Sequence, residues 1–121
     1  MDGGLVVTEQ DFDVQAFARD INELLVLSTL RGEAKHGYQI GLDVETESNG
    51  LFRFKHGTLY PILHSLEKNG LIEGDWDEDA PRRKRKSYAL TRKGRRKLAD
   101  DTEAWRVFAR HFFAIVDGEA R

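Results

Sequence analysis

Between Gly57 and Ile72 four apolar residues, Leu59, Ile62, Leu63 and Leu66, recur at i, i+3, i+4 and i+7, and Pro61 stands among them. That spacing is the buried stripe of an amphipathic helix. Proline has no N–H, so it is best placed in a first turn, where helix donors are unpaired in any case. The N-cap is therefore expected between Thr58 and Tyr60, and Thr58 offers the best capping chemistry there. Asn69-Gly70 closes the helix, which is predicted from about Gly57 or Thr58 to Asn69. If the four aliphatic residues turn inward, then Thr58, Tyr60, Pro61, His64 and Lys68 turn outward.

The segments around this helix fix its context. Val14, Phe17, Ile21, Leu24, Leu25 and Ser28 recur at helical spacing, which predicts a buried face on a helix over about 13–31. Asp11 or Asp13 can cap it, and Arg31-Gly32 is the expected left-handed stop. A second helix is predicted from His36-Gly37 to about Ser48, with Ile40 and Val44 one turn apart. After the third helix, Leu71–Trp76 and Lys86–Leu90 read as two strands of a hairpin. Thr91 is placed to cap a last helix over 91–117. In that helix Leu98, Thr102, Trp105, Ala109, Phe112 and Val116 repeat at alternating steps of four and three, the spacing of a coiled-coil seam. It would be roughly 40 Å long, whereas a single globule of this size has a radius of gyration of about 14 Å. Part of its apolar face therefore calls for a partner chain.

The resulting order is helix, helix, helix, strand, strand, helix. It predicts a mainly α protein with a small β-hairpin: a winged helix-turn-helix with a long C-terminal dimerisation helix. The expected division is a tail over 1–10, a winged-helix domain over 11–91 and the dimerisation helix over 92–121.

Composition and charge narrow the function. The chain has 121 residues, 40% apolar and 33% charged, which suits one globular domain. Its net charge of −2 argues against nucleic acid only as an average. Residues 80–99 hold ten Lys or Arg and no acid, leaving nine bases against twenty-one acids elsewhere, a balance of −12. A local basic face can bind phosphate on a globally acidic protein. The residues expected to meet double-stranded DNA are Tyr38, Lys55, His56, Thr58, Tyr60, Pro61, His64 and Lys68, with Arg82, Arg83, Lys84, Arg85 and Lys86 as phosphate clamps. The same basic run can instead be a solvated hairpin paired with Asp75, Asp77, Glu78 and Asp79, although exposed pairs are worth only about 0–1 kcal/mol.

Other chemistries find no support. There is no cysteine, and His36, His56, His64 and His111 show no metal-ligand spacing, so no metal or cofactor is expected. No serine sits in a nucleophile elbow and no glycine loop follows a strand, so an enzyme is not expected. No apolar run approaches a membrane span, and the N-terminus lacks a secretion signal, so a cytoplasmic location is expected.

Three segments carry a family resemblance: LLVLSTLRGEAKHGYQI, GTLYPILHSLEKNGLI and RKRKSYALTRKGRRKL. In order and spacing they resemble the PadR family of bacterial transcriptional regulators, over about Ile21 to Leu98. The resemblance implies a homodimer joined through the last helix and repression relieved by a small molecule. The single C-terminal helix resembles the short branch of that family. In some of its members tryptophans line a site for flat aromatic compounds at the dimer axis. Trp105 corresponds to such a tryptophan, with Asp101 and Phe108 beside it as candidate ligand contacts. The plainer reading of Trp105, Phe108 and Phe112 is dimer core. Two alternatives to a repressor stay open: a sensor of planar aromatics with vestigial DNA binding, and a winged-helix module that binds protein.

Overall fold

The computed structural model describes residues 14–77 and 85–118, with the side chains of 14–17 and of His56 outside the description. The expected 1–10 tail and the clamp residues Arg82, Arg83 and Lys84 lie outside the described residues. The elements are α1 (Val14–Thr29), β1 (Lys35–His36), α2 (Gly37–Glu47), α3 (His56–Lys68), β2 (Ile72–Asp77), β3 (Arg85–Leu90) and α4 (Arg92–Val116). This is the mainly helical winged architecture that the sequence predicts. No helix among the described residues is long and apolar enough to cross a membrane.

The core gathers one face of every helix and of the β2–β3 hairpin. Leu59, Ile62, Leu63 and Leu66 of α3 are buried, as their spacing requires. They meet Val26, Leu27 and Leu30 of α1, Ile40 of α2, Ile72, Tyr88 and Leu90 of the sheet, and Leu98 of α4. At α1 the expected face is corrected. Val26 and Leu27 are fully buried, whereas Ile21, Leu24, Leu25 and Ser28 are only half-buried. Leu24 to Leu27 is apolar without a break, so α1 has two apolar faces, and packing against α2, α3 and α4 selects which is fully buried. Val14 and Phe17 fall among the undescribed side chains. Gly32 is also corrected as a left-handed stop, since it has no positive φ. The helix ends instead by tightening, as the N–H groups of Leu30 and Arg31 donate to the carbonyls of Leu27 and Ser28.

The start of α3 differs from expectation as well. The helix begins at His56, with Lys55 in the cap position and no side-chain cap. The Lys55 carbonyl accepts from the N–H groups of both Thr58 and Leu59. Thr58 is therefore inside the helix, and Pro61 lies in the second turn. The helix bond that Pro61 cannot make is the one to the carbonyl of Gly57, a residue exposed to water, which can take the missing donor's place. Gly70, at φ 76°, then reverses the chain, and the Leu71 N–H donates to the Leu66 carbonyl across the turn.

The sheet has three antiparallel strands in the order β1-β3-β2. β1 is an addition to the expected hairpin. It pairs Lys35 with Tyr88 and His36 with Ser87. Two residues carry no alternation, so nothing local announces this strand. The β2–β3 register pairs Ile72 with Leu90, Gly74 with Tyr88 and Trp76 with Lys86. These six share one face, because side chains alternate along a strand. Ile72, Tyr88 and Leu90 join the core, and Gly74, Trp76 and Lys86 continue the same face outward into the wing.

The expected cap of α4 is present. The Thr91 hydroxyl oxygen accepts from the Gly94 N–H at 2.9 Å and donates to the Gly70 carbonyl at 2.7 Å. Lys93 Nζ donates to the Asn69 carbonyl at 2.9 Å. The helix is thus seated on the turn that follows α3.

Candidate nucleic-acid interface

The outer surface of α3 presents the residues that its stripe leaves outside. Thr58, Tyr60, Pro61, His64 and Lys68 are exposed, and so is Lys55 immediately ahead of the helix. Tyr38, in the first turn of α2, is 70% exposed. Lys55 and Lys68 put a cation at each end of α3, and Arg85 is exposed at the start of β3. In the register Arg85 stands opposite Asp77, so the described base of the wing is mixed in charge, with Glu73 and Asp75 exposed on β2.

Two sequence motifs meet at the α2–α3 junction. Gly37 is buried, and a Cβ there would come 3.0 Å from Tyr60 Cε1 and 3.2 Å from its hydroxyl oxygen. The glycine of His36-Gly37-Tyr38 thus makes room for the ring of Tyr60, which stays 44% exposed. Beside this contact lies a cleft of about 170 Å³ bounded by Tyr38, Leu42, Phe54 and Tyr60.

Lys86 differs from Arg85, the other described clamp residue. Its ammonium donates to Glu67 Oε1 at 2.8 Å and lies 5.4 Å and 5.6 Å from the ring centroids of Trp76 and Tyr88. The Glu67 carboxylate also accepts from the Gly74 N–H at 3.3 Å. The hydrogen bond from Lys86 holds the Glu67 carboxyl below the usual carboxylate range and raises the Lys86 ammonium above the usual lysine value. Sequence reasoning missed Glu67, since its partner is nineteen residues away. The one signal present was a glycine in the middle of a predicted strand, which often marks a close approach.

Along α4 the expected seam divides. Leu98 is 5% exposed and belongs to the core of its own chain, which corrects its placement at a dimer interface. Thr102, Trp105 and Ala109 are half-buried, and Phe112 and Val116 are exposed. Trp105, Phe108, Phe112 and Phe113 form a ladder with centroid spacings of 5.5, 5.6 and 5.1 Å. Asp101 is engaged by Lys97, 2.9 Å away. A second cleft, of about 540 Å³, runs between the end of α1 and α4 and is lined by Arg31, Arg95, Leu98 and Arg106. Trp105, Asp101 and Phe108 line neither cleft.

The family model described as the transcriptional regulator PadR-like family matches residues 26–100. Among solved structures, a transcriptional regulator from Clostridium thermocellum has the same fold, with a TM-score of 0.72 at 22% identity, over 96% of this chain and 100% of that one. A PadR family transcription regulator from Clostridium difficile R20291 matches at 27% identity and a TM-score of 0.69, over 78% of this chain and 97% of that one. Bacillus subtilis PadR in complex with operator DNA matches at 28% identity and a TM-score of 0.61, over 66% of this chain and 45% of that one.

Proposed function

Because this chain belongs to the PadR-like family of transcriptional regulators, we propose that it is a homodimeric repressor that reads double-stranded DNA with α3 and is released by a small aromatic effector. The observation that carries this reading is the division of α3 into a packed aliphatic face and an exposed face bearing Thr58, Tyr60, His64 and Lys68. A helix held in this way can enter a major groove while its polar side meets base edges and phosphates. Lys55, Lys68 and Arg85 supply charge for backbone contact, which gives affinity rather than sequence reading. The operator complex of Bacillus subtilis PadR supports DNA as the partner.

The dimer reading rests on the far half of α4. Phe108, Phe112, Phe113, Ile115 and Val116 are each about half-exposed or more in a single chain. Covering an aromatic or aliphatic side chain is worth about 1.5–3 kcal/mol, and a second copy of α4 presents the matching surface. Two α3 helices related by the dimer axis would address half-sites about 34–36 Å apart.

Binding to duplex DNA across a salt series tests the proposal. Contact with about six phosphates gives a log–log slope near −5. A flat response would remove DNA as the partner and favour the protein-interaction reading. Effector binding is read as quenching of Trp105 by planar aromatics, with Trp76→Phe as the control that removes the other tryptophan.

A further inference from the structure

Outside the core, one side chain ties the described part of the wing to α3. Beyond Ile72 on β2 and Tyr88 on β3, no wing residue is buried among the described residues. Among the described residues the outer hairpin therefore has no core contact to set its angle to α3, and the β1 pairing reaches only as far as Ser87. Glu67 bridges the gap. It sits in the last turn of α3, takes the Lys86 ammonium from β3 on one oxygen and the Gly74 N–H from β2 on the other. Three elements meet on a single carboxylate.

Gly74 shows that the bridge is built in. A Cβ there would come 2.3 Å from Lys86 Cε and 3.1 Å from both Lys86 Cδ and Glu67 Oε2. Gly74 has no positive φ, so its backbone does not need glycine. What needs the missing side chain is the passage of the Lys86 stem across β2. Once across, the ammonium rests between the Trp76 and Tyr88 rings. The side chains of Lys86 and Glu67 are only 24% and 32% exposed.

We propose that Glu67 and Lys86 are positioning residues that lock the β2–β3 wing to α3, so that recognition helix and wing approach DNA as one rigid body, and that Lys86 is not a phosphate contact. This rests on the DNA-binding reading above. It also accounts for a carboxylate beside a surface that must meet phosphates. Glu67 stays there because its charge is spent on Lys86 and Gly74.

The pair makes an unusual prediction about sign. Glu67→Gln removes a negative charge near the interface, which by simple electrostatics strengthens DNA binding. If the carboxylate is a lock, the same change weakens binding, because the wing is no longer held. The experiment uses the full chain and a mixed-sequence duplex of about 30 base pairs, long enough to carry the six phosphate contacts inferred above. Fluorescence anisotropy is followed across a salt series for wild type, Glu67→Gln, Lys86→Met and the double variant. A partly exposed ion pair is worth up to about 1 kcal/mol, so each single variant should lose about three- to fivefold in affinity with the salt slope unchanged. The double variant should lose no more than either single one. Tighter binding by Glu67→Gln overturns the proposal. So does a slope flattened by about 0.9 in Lys86→Met, which would make Lys86 a phosphate contact.

A second readout needs no DNA. In a Trp105→Phe background, Trp76 alone reports on the wing. Acrylamide should quench it more strongly in both single variants than in the parent, and equal quenching overturns the lock. If wild type shows no salt-dependent DNA binding, the DNA reading falls and this quenching result still decides whether the wing is held.

Discussion

Replacing Gly94 by alanine tests how α4 is seated. On helix propensity alone the change should stabilise, since alanine is favoured over glycine by about 1 kcal/mol within a helix. The structure reverses the sign. A Cβ at Gly94 would lie 1.9 Å from the Leu71 carbonyl oxygen, 2.9 Å from its carbon and 3.3 Å from Leu90 Cδ2. The obstacle is backbone, so no side-chain rotation relieves it, and α4 must move off the turn by more than about 1 Å to reach ordinary contact. That movement strains three bonds: Thr91 N–H to the Leu71 carbonyl, the Thr91 hydroxyl to the Gly70 carbonyl, and Lys93 Nζ to the Asn69 carbonyl. Overpacking costs about 1–3 kcal/mol, and each lost bond about 1 kcal/mol. Strain shared over the three bonds is worth about two lost ones, so with the propensity gain of about 1 kcal/mol subtracted the net loss is about 2–4 kcal/mol. Urea unfolding followed by circular dichroism measures it, at one fixed protein concentration because the stability of the proposed dimer would depend on concentration. At a slope of about 2 kcal/mol per molar, the midpoint should fall by about 1–2 M. Gly57→Ala is the control: nothing lies within 4 Å of its Cβ position, so it should match wild type or gain up to about 1 kcal/mol. A Gly94→Ala protein as stable as wild type would refute the seating of α4 on Leu71.

The remaining predictions concern other contacts. Phe112→Asp places a charge on the exposed ladder of α4, so sedimentation at micromolar concentration should show a monomer with its helical signal retained; an unchanged dimer mass would count against the seam. Because Lys86 holds the Glu67 carboxyl below its ordinary value, the lock is fully present above the ordinary carboxylate range and is lost as pH falls through the lowered value. Trp76 emission in a Trp105→Phe background should therefore change only below the ordinary carboxylate range, and a transition at or above the ordinary carboxylate value would contradict the bond. Gly37→Ala should cost about 1 kcal/mol by pushing on the Tyr60 ring and Leu63. That cost should shrink in a Tyr60→Ala background, and a cost that persists undiminished would place the obstruction elsewhere.

Some of the protein is legible in single stretches of chain. The α3 stripe of Leu59, Ile62, Leu63 and Leu66 is buried as its spacing demands. Thr91 caps α4, and Gly70 reverses the chain after α3. These features arise within a turn or two of helix, so local sequence contains their cause. The third helix was less well placed at its start, because a proline's preference for the first turn is weaker than the packing that sets the helix in register. Pro61 sits one turn deeper, and the carbonyl its ring cannot bond belongs to exposed Gly57.

The order of the four helices and the hairpin, the inward face of α3 and the long amphipathic course of α4 are all legible in the chain, because helical periodicity and turn chemistry act between neighbours. Tertiary structure alone decided which apolar face of α1 is buried, that Lys35 and His36 form a strand on β3, and that Leu98 belongs to its own chain's core. It also decided the fate of Lys86. In sequence Lys86 is one cation in a run of five. In the fold it is drawn across Gly74 to a carboxylate nineteen residues away, because a half-buried ammonium needs a partner and Glu67 is the one that α3 brings within 2.8 Å.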